Sequence, residues 1–321
     1  MELFNKFRET IFLKEESNLE AQINELKSIR EQVPNKEQID KDIKLLEIGL
    51  QGEKEIAYEL KHANIGMYVL HDITIPFEDL KAQIDYVIVT KGFCYLVECK
   101  NLIGNITVNN DGQFQREYTL NGKSIKEAIY SPYTQAMRHK EILKKRWISK
   151  NNKLSVFLKE DAFDKLWYKP LVVLSNSKSI LNTKYAPTEV RKNTIRVDQL
   201  VDYIKKDIEN YDKDILSSKS KMLELATVLL EANEEISKSF VDKYKDSLVD
   251  TEELKQKLKK YRKEKSTKMH LPAYYIFKDD ELEKILLNMP KTLEELKSLK
   301  ILSEVKLNLH GKEIIEIINE K

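Results

Sequence analysis

Asp85, Glu98 and Lys100 are spaced so that two carboxylates and an ammonium can meet around one divalent cation. Ile84-Asp85-Tyr86-Val87-Ile88-Val89-Thr90 is rich in β-branched and aromatic residues and reads as a strand, as does Phe93-Cys94-Tyr95-Leu96-Val97-Glu98-Cys99-Lys100. Lys91-Gly92 between them suits a type I′ hairpin turn. That register sets Thr90 against Phe93 and Asp85 against Glu98. Side chains two apart share a strand face, so Lys100 joins them. Opposed carboxylates repel and weaken the pairing, and a bound divalent cation would reverse the sign. The chemistry such a set performs is hydrolysis of a phosphodiester. It requires an activated water, neutralised phosphorane charge and help for the leaving oxygen. Mg²⁺ or Mn²⁺ would take oxygen from Asp85, Glu98 and the backbone carbonyl of Cys99, keeping waters for the rest of its shell. Lys100 would stand beside the attacking water. Glu53, near the start of a helix preceded by Gly49 and Gly52, could reach the cation or a water bound to it. Gln135 could touch a phosphate or base from the first turn of its helix.

The elements that must hold these groups can be read in outline. With 321 residues the chain has room for two or three domains. It is 41% apolar and 34% charged, with a formal net charge of +2, so local patches must carry any argument for a polyanionic partner. No run of about 18 apolar residues suggests a membrane span, and the first residues are too charged for the apolar core of a signal peptide. Two cysteines, Cys94 and Cys99, lie on opposite faces of one strand and cannot easily bridge. The expected setting is a reducing cytoplasm.

Residues 9–33 read as a helix on the spacing of Leu19, Ile23, Leu26 and Val33, stopped by Pro34. A second helix runs from Lys36, pauses at Gly49 and Gly52, and continues through Ile56, Leu60 and Ala63. Strands are expected at 67–75, 84–90, 93–100, 105–109 and 113–119, the last two joined by Asn110-Asp111-Gly112. Ser131-Pro132 opens a helix over 132–148, with Ala136, Leu143 and Trp147 inward. Leu171–Leu174 and Thr194–Val197 add strands, so the fold class is α/β or α+β. The expected division is an N-terminal helical segment (1–46), a sheet domain (47–210), a helical linker (211–251) and a helical C-terminal domain (252–321). Asn121-Gly122-Lys123-Ser124 imitates the end of a phosphate loop, but Glu117 stands where that motif needs Gly, so no ATP motor is encoded.

Gly49-x-x-Gly52-Glu53, Gln83-Ile84-Asp85, Val97-Glu98-Cys99-Lys100-Asn101 with Gly104, and Pro132-x-x-Gln135 together resemble the NERD (nuclease-related) domain, a branch of the PD-(D/E)XK nuclease superfamily. The resemblance spans about 47–150. It implies a restriction-endonuclease-like mixed sheet flanked by helices, with Asp85, Glu98 and Lys100 catalytic and Glu53, rather than Glu55, as the helix-borne acid. It also departs from a pattern of some relatives, Gln-x-x-x-Tyr, by carrying His139 at the fifth position.

Leu271-Pro272-Ala273-Tyr274-Tyr275-Ile276-Phe277, Asp280, Leu282, Pro290 and Thr292-Leu293-Glu294-Glu295-Leu296 resemble an HRDC domain over about 252–321, which implies nucleic-acid binding or partner docking. Residues 255–268 hold eight Lys or Arg against one acid, Glu264, and Lys255, Lys259, Arg262 and Lys263 are the candidates to neutralise phosphates. The family's Gly-hydrophobic-Gly turn is replaced here by Lys300, Ile301 and Leu302. Tyr274, Tyr275 and Phe277 could stack bases but are expected in the core of so small a bundle.

The expected activity is Mg²⁺- or Mn²⁺-dependent cleavage of DNA, with a separate helicase or other DNA-processing chain as a partner. The rival readings are a DNA-binding scaffold that does not cut and an RNA-directed nuclease.

Overall fold

Apolar residues on both faces of consecutive strands dictate a sheet buried on two sides. The computed structural model describes residues 7–33, 36–150, 168–210, 217–234, 240–245 and 251–320. Two compact units result, one from Met1–Ala21 with Leu45–Ser237, the other from Gln22–Lys44 with Lys238–Lys321.

The first unit is built on a six-stranded mixed sheet in the order β1-β2-β3-β4-β8-β10. Its strands are β1 (Thr10–Lys14), β2 (Met67–Phe77), β3 (Leu80–Val89), β4 (Cys94–Lys100), β8 (Tyr168–Leu174) and β10 (Thr194–Arg196). A smaller sheet, in the order β7-β6-β5-β9, consists of β5 (Asn105–Val108), β6 (Phe114–Leu120), β7 (Lys123–Ile129) and β9 (Ile180–Asn182). Helices α1 (Asn18–Ile29) and α2 (Lys36–Lys61) each have residues in both units, and α3 (Pro132–Lys150), α4 (Thr188–Lys192), α5 (Leu200–Glu209) and α6 (Lys219–Glu231) complete the first. One face of the large sheet buries Val69, Tyr86, Ile88, Tyr95 and Val97 against Ile56 and Leu60 of α2 and Leu200 and Ile204 of α5. The other buries Leu70, Val87, Val89, Cys94 and Leu96 against Leu143 of α3 and Met222, Ala226 and Leu229 of α6.

In the second unit, α7 (Thr251–Met269), α8 (Asp279–Asn288), α9 (Leu293–Ser298) and α10 (Glu304–Asn319) enclose Leu258, Ile276, Phe277, Leu282, Ile285 and Ile314. Thr292 caps α9 by accepting from the N–H of Glu295 at 3.1 Å.

The β3–β4 register is the one the sequence implies, since Tyr86 pairs with Val97 and Val89 with Cys94, and Thr90 N–H donates to Phe93 O at 2.8 Å. The turn is not type I′, because neither Lys91 nor Gly92 takes a positive φ. The Thr90 hydroxyl closes it instead, accepting from the Phe93 N–H at 3.1 Å.

Three further expectations are corrected, and one strand is added. Residues 10–14 are a strand pairing in parallel with β2, and α1 starts only at Asn18. Pro34, expected to stop that helix, lies outside the described residues. α2 runs unbroken through Gly49 and Gly52, so Glu53 lies in the second half of a long helix rather than near its start. The phosphate-loop lookalike is a hairpin turn, with Asn121 and Gly122 at φ 51° and 76°, leading into β7, a strand the sequence reading missed. Part of the expected linker, residues 219–231, is α6, whose apolar side is core.

Candidate active site

Period two places Asp85 with Val87 and Val89, and Glu98 and Lys100 with Cys94 and Leu96, on the face covered by α3. The β3–β4 ladder runs only as far as Tyr86 and Val97. One residue beyond, the Asp85 carboxylate accepts from the N–H of Cys99 at 2.6 Å. A side chain thus takes the backbone donor where the two strands part. In an antiparallel strand a residue's N–H and C=O leave on the same side, so the Cys99 carbonyl is aimed to the Asp85 side as well.

Glu98 is buried at 2% exposure, and its two oxygens differ. Oε1 accepts from Lys100 Nζ at 2.6 Å. Oε2 is enclosed without a hydrogen-bond partner, and His139 Nδ1 lies 3.8 Å from it. Lys100 Nζ also reaches Gln135 Oε1 at 3.3 Å. Gln135 and His139 lie one turn apart on α3, whose first turn Ser131 caps by accepting from the Thr134 N–H at 3.2 Å.

Burial, then the charges of Glu98 and Glu53, hold the Asp85 carboxyl well above the usual carboxylate range, against the pull of the Cys99 N–H and Lys100. Burial also raises Glu98, with Lys100 opposing. Burial alone would lower Lys100, but Glu98, with Asp85 behind it, outweighs burial and the ammonium is held above its ordinary value. Burial and the neighbouring Lys100 bring His139 down to about 4, so its imidazole is neutral at neutral pH.

Glu53 comes from the opposite face of the sheet, on α2. Its Oε2 lies 2.8 Å from His71 Nε2 and accepts from Ser17 Oγ at 3.1 Å. Gly52 sets this approach. A Cβ there would meet Ser175 Oγ and stand 2.7 Å from Asn101 Cβ, whereas one at Gly49 would make only an ordinary contact with Leu19. Asn101 ties the same junction, donating to the carbonyl of Ile48 at 2.7 Å and accepting from Asn176 at 2.8 Å.

The donor set suits a hard cation that takes two carboxylates and keeps water. An enclosed carboxylate oxygen lacks a partner and the neighbouring acid is disfavoured in its charged form. Among the described residues no group of three or more His, Cys, Asp and Glu side chains is arranged to hold a metal ion.

Asp85, Glu98, Lys100 and Gln135 therefore come together, with Glu53 across the sheet. His71 and Ser17 escaped the sequence reading. The signal for His71 was the polar pair His71-Asp72 inside a largely apolar strand.

The basic candidates of the second unit divide. Lys255 pairs with Glu283 at 2.7 Å. Arg262 pairs with Asp279 at 2.8 Å, donates to the carbonyl of Phe277 at 3.2 Å and lies over the Phe277 ring, so it is a structural clamp. Lys259 and Lys263 form no ion pair among the described residues. Phe277 is core as expected, but Tyr274 and Tyr275 are 56% and 52% exposed. Lys300 adopts a left-handed φ of 50° where the family usually places Gly.

No helix among the described residues is long and apolar enough to cross a membrane. Neither a curated protein nor a solved structure matches the chain. Family models do: residues 48–175 match NERD, the nuclease-related domain, and residues 251–318 match the HRDC domain. Ser17 and the residues around it precede the first match, while Glu53, His71, Asp85, Glu98, Lys100 and Gln135 fall inside it. The chain thus carries a nuclease-related NERD domain followed by an HRDC domain.

Proposed function

We propose that this protein hydrolyses DNA phosphodiester bonds at Asp85, Glu98 and Lys100 with Mg²⁺ or Mn²⁺, in a reducing cytoplasm, and that the HRDC unit contributes nucleic-acid binding. The observation that carries this reading is the enclosed, partnerless Oε2 of Glu98 beside the charge-disfavoured Asp85. An unsatisfied buried carboxylate oxygen is costly unless a ligand uses it. Asp85, Glu98 and the Cys99 carbonyl would hold the cation, which would supply charge neutralisation and a more acidic water. Glu53, whose charge reaches Asp85 from across the sheet, would act on that water from the α2 side. Lys100 stays protonated and offsets charge on the phosphoryl oxygens. Gln135, within reach of Lys100, orients the scissile phosphate. In the HRDC unit Lys259, Lys263 and the exposed Tyr274–Tyr275 pair bind the strand, the cations through phosphates and the rings by stacking.

The test is incubation of the purified full chain with single- and double-stranded DNA plus Mg²⁺ or Mn²⁺. Cut product is expected, and Asp85→Ala, Glu98→Ala and Lys100→Ala should each abolish it while circular dichroism stays unchanged. Cleavage that persists in all three variants, or tight metal-independent binding with no turnover, overturns the proposal. Faster cleavage of a matched oligonucleotide carrying 2′-hydroxyls would reassign the substrate to RNA.

A further inference from the structure

Glu53 is the acid of this site whose partners are already in place, and part of them comes from a segment that precedes the nuclease-related match. Its carboxylate and the His71 ring are almost wholly enclosed, at 10% and 7% side-chain exposure. His71 Nδ1 lies 2.8 Å from the carbonyl oxygen of Glu15, and Nε2 lies 2.8 Å from Glu53 Oε2. The ring stacks on Tyr86, with centroids 4.3 Å apart and planes 3° from parallel, and the Tyr86 hydroxyl donates to the Glu53 carbonyl at 2.9 Å. Lys14 fixes the strand beneath by donating to the carbonyls of His71 and Asp72 at 2.7 and 2.8 Å.

The partners dictate where the protons are. A backbone carbonyl only accepts, so Nδ1 carries a hydrogen. The Nε2 contact with a carboxylate oxygen then needs a second proton, on the ring or on the carboxyl. A site without that proton would press a ring lone pair against a carboxylate lone pair in a dry enclosure.

We infer that His71 is a positioning residue for Glu53: anchored by the Glu15 carbonyl and stacked on Tyr86, it fixes the orientation of the helix-borne carboxylate, and residues 14–18 complete that grip. The consequence for catalysis rests on the nuclease reading, because only there does Glu53 face a reacting water. The pairing itself does not rest on it. Ser17 shares the same Glu53 oxygen and also accepts from the Leu19 N–H at 3.2 Å, so the start of α1 and the site are fixed together.

The experiment uses the full chain. His71→Phe keeps the ring on Tyr86 and removes both hydrogen bonds, whereas His71→Gln retains a donor for Glu53. The Phe variant should lower kcat about 10- to 100-fold, the scale seen when a group orienting a catalytic ligand is lost, with little change in KM. The Gln variant should recover most of that loss. On a Glu53→Gln background, His71→Phe should cost nothing more, because its route of action is already gone. A full further loss on that background, or an unimpaired Phe variant, overturns the inference. Ring ¹⁵N spectra, with the His71 signals identified by their loss in His71→Gln, read the pairing without any activity. A protonated Nδ1, and an Nε2 signal that moves on Glu53→Gln, support it; a bare Nδ1 overturns it. A wild-type chain that cuts no nucleic acid sinks the nuclease reading, and the ring spectra then decide the pairing alone.

Discussion

Asp85 is held where its own charge is unwelcome, which sets function against stability. Burial and the facing acids raise its pKa above the ordinary 3.8, and Glu98 is raised beside it, so the two titrate as a pair. A carboxyl raised on folding contributes stability that is present below its unfolded value and lost as pH climbs through the folded one. The cation-free protein should therefore weaken as pH climbs above 3.8 on account of this pair. His139 acts oppositely, since its lowered value of about 4 makes stability fall as pH drops below 6.5. Comparing wild type with Asp85→Asn cancels the histidine contribution. Asn keeps an oxygen to accept from the Cys99 N–H but removes the charge. Asp85→Asn should thus abolish cleavage and raise the melting temperature of the cation-free protein, by roughly 2–4 °C for each kcal/mol of relieved repulsion. The gain should grow from acid toward neutral pH and shrink when Mg²⁺ is added to both proteins. A variant that melts lower than wild type at pH 7 without cation would show that Asp85 is not strained by its neighbours.

Among the elements, α2 decides whether its acid reaches the sheet at all. A methyl group at Gly52 would meet the ends of β4 and β8 through Asn101 and Ser175, while one at Gly49 has space. Gly52→Ala should cost about 1–3 kcal/mol by overpacking and lower the cleavage rate by displacing Glu53. Gly49→Ala should leave activity intact and stabilise the helix by about 1 kcal/mol. Equal melting temperatures for the two variants would refute this account. The Gly49-x-x-Gly52-Glu53 pattern was visible in the sequence, but its meaning as close packing was not, because the atoms that Gly52 must clear lie far along the chain. The β3–β4 register was legible for the opposite reason: strand period and a short connection fix it locally. The turn type was not, since the Thr90 hydroxyl replaces the geometry that Gly92 suggested. β1 was hidden because five half-buried residues carry no alternation and their pairing with β2 is parallel and distant. His71 was hidden likewise, 18 residues from Glu53 and 56 from Glu15.

At the scale of the whole molecule, a nuclease-related unit is joined to an HRDC unit that, on the proposed function, should govern affinity rather than chemistry. The density of basic residues on α7 overstates what is available to a phosphate. Lys255, Lys257, Arg262 and Lys265 face Glu283, Glu253, Asp279 and Glu313, and Glu313 also accepts from Tyr261 at 2.6 Å. Lys255, Arg262 and Lys265 brace the bundle, whereas Lys257 pairs within its own helix, and removing Arg262 would leave a ring and a carboxylate unsupported. Lys259 and Lys263 lie one turn apart on the helix, without ion pairs among the described residues, and fit the role of phosphate contacts. Each cation that releases a counterion steepens the salt dependence of binding by about 0.7–0.9 in log K against log salt. Lys259→Ala together with Lys263→Ala should weaken DNA binding nearly equally across sequences and flatten that slope by about 1.4–1.8. Cleavage at saturating DNA should be unchanged, because neither side chain belongs to the nuclease-related unit. Arg262→Ala should instead lower the melting temperature of the HRDC unit. If the double variant leaves the salt slope where it was, the strand does not track this face of α7, and the HRDC unit serves docking to another protein instead.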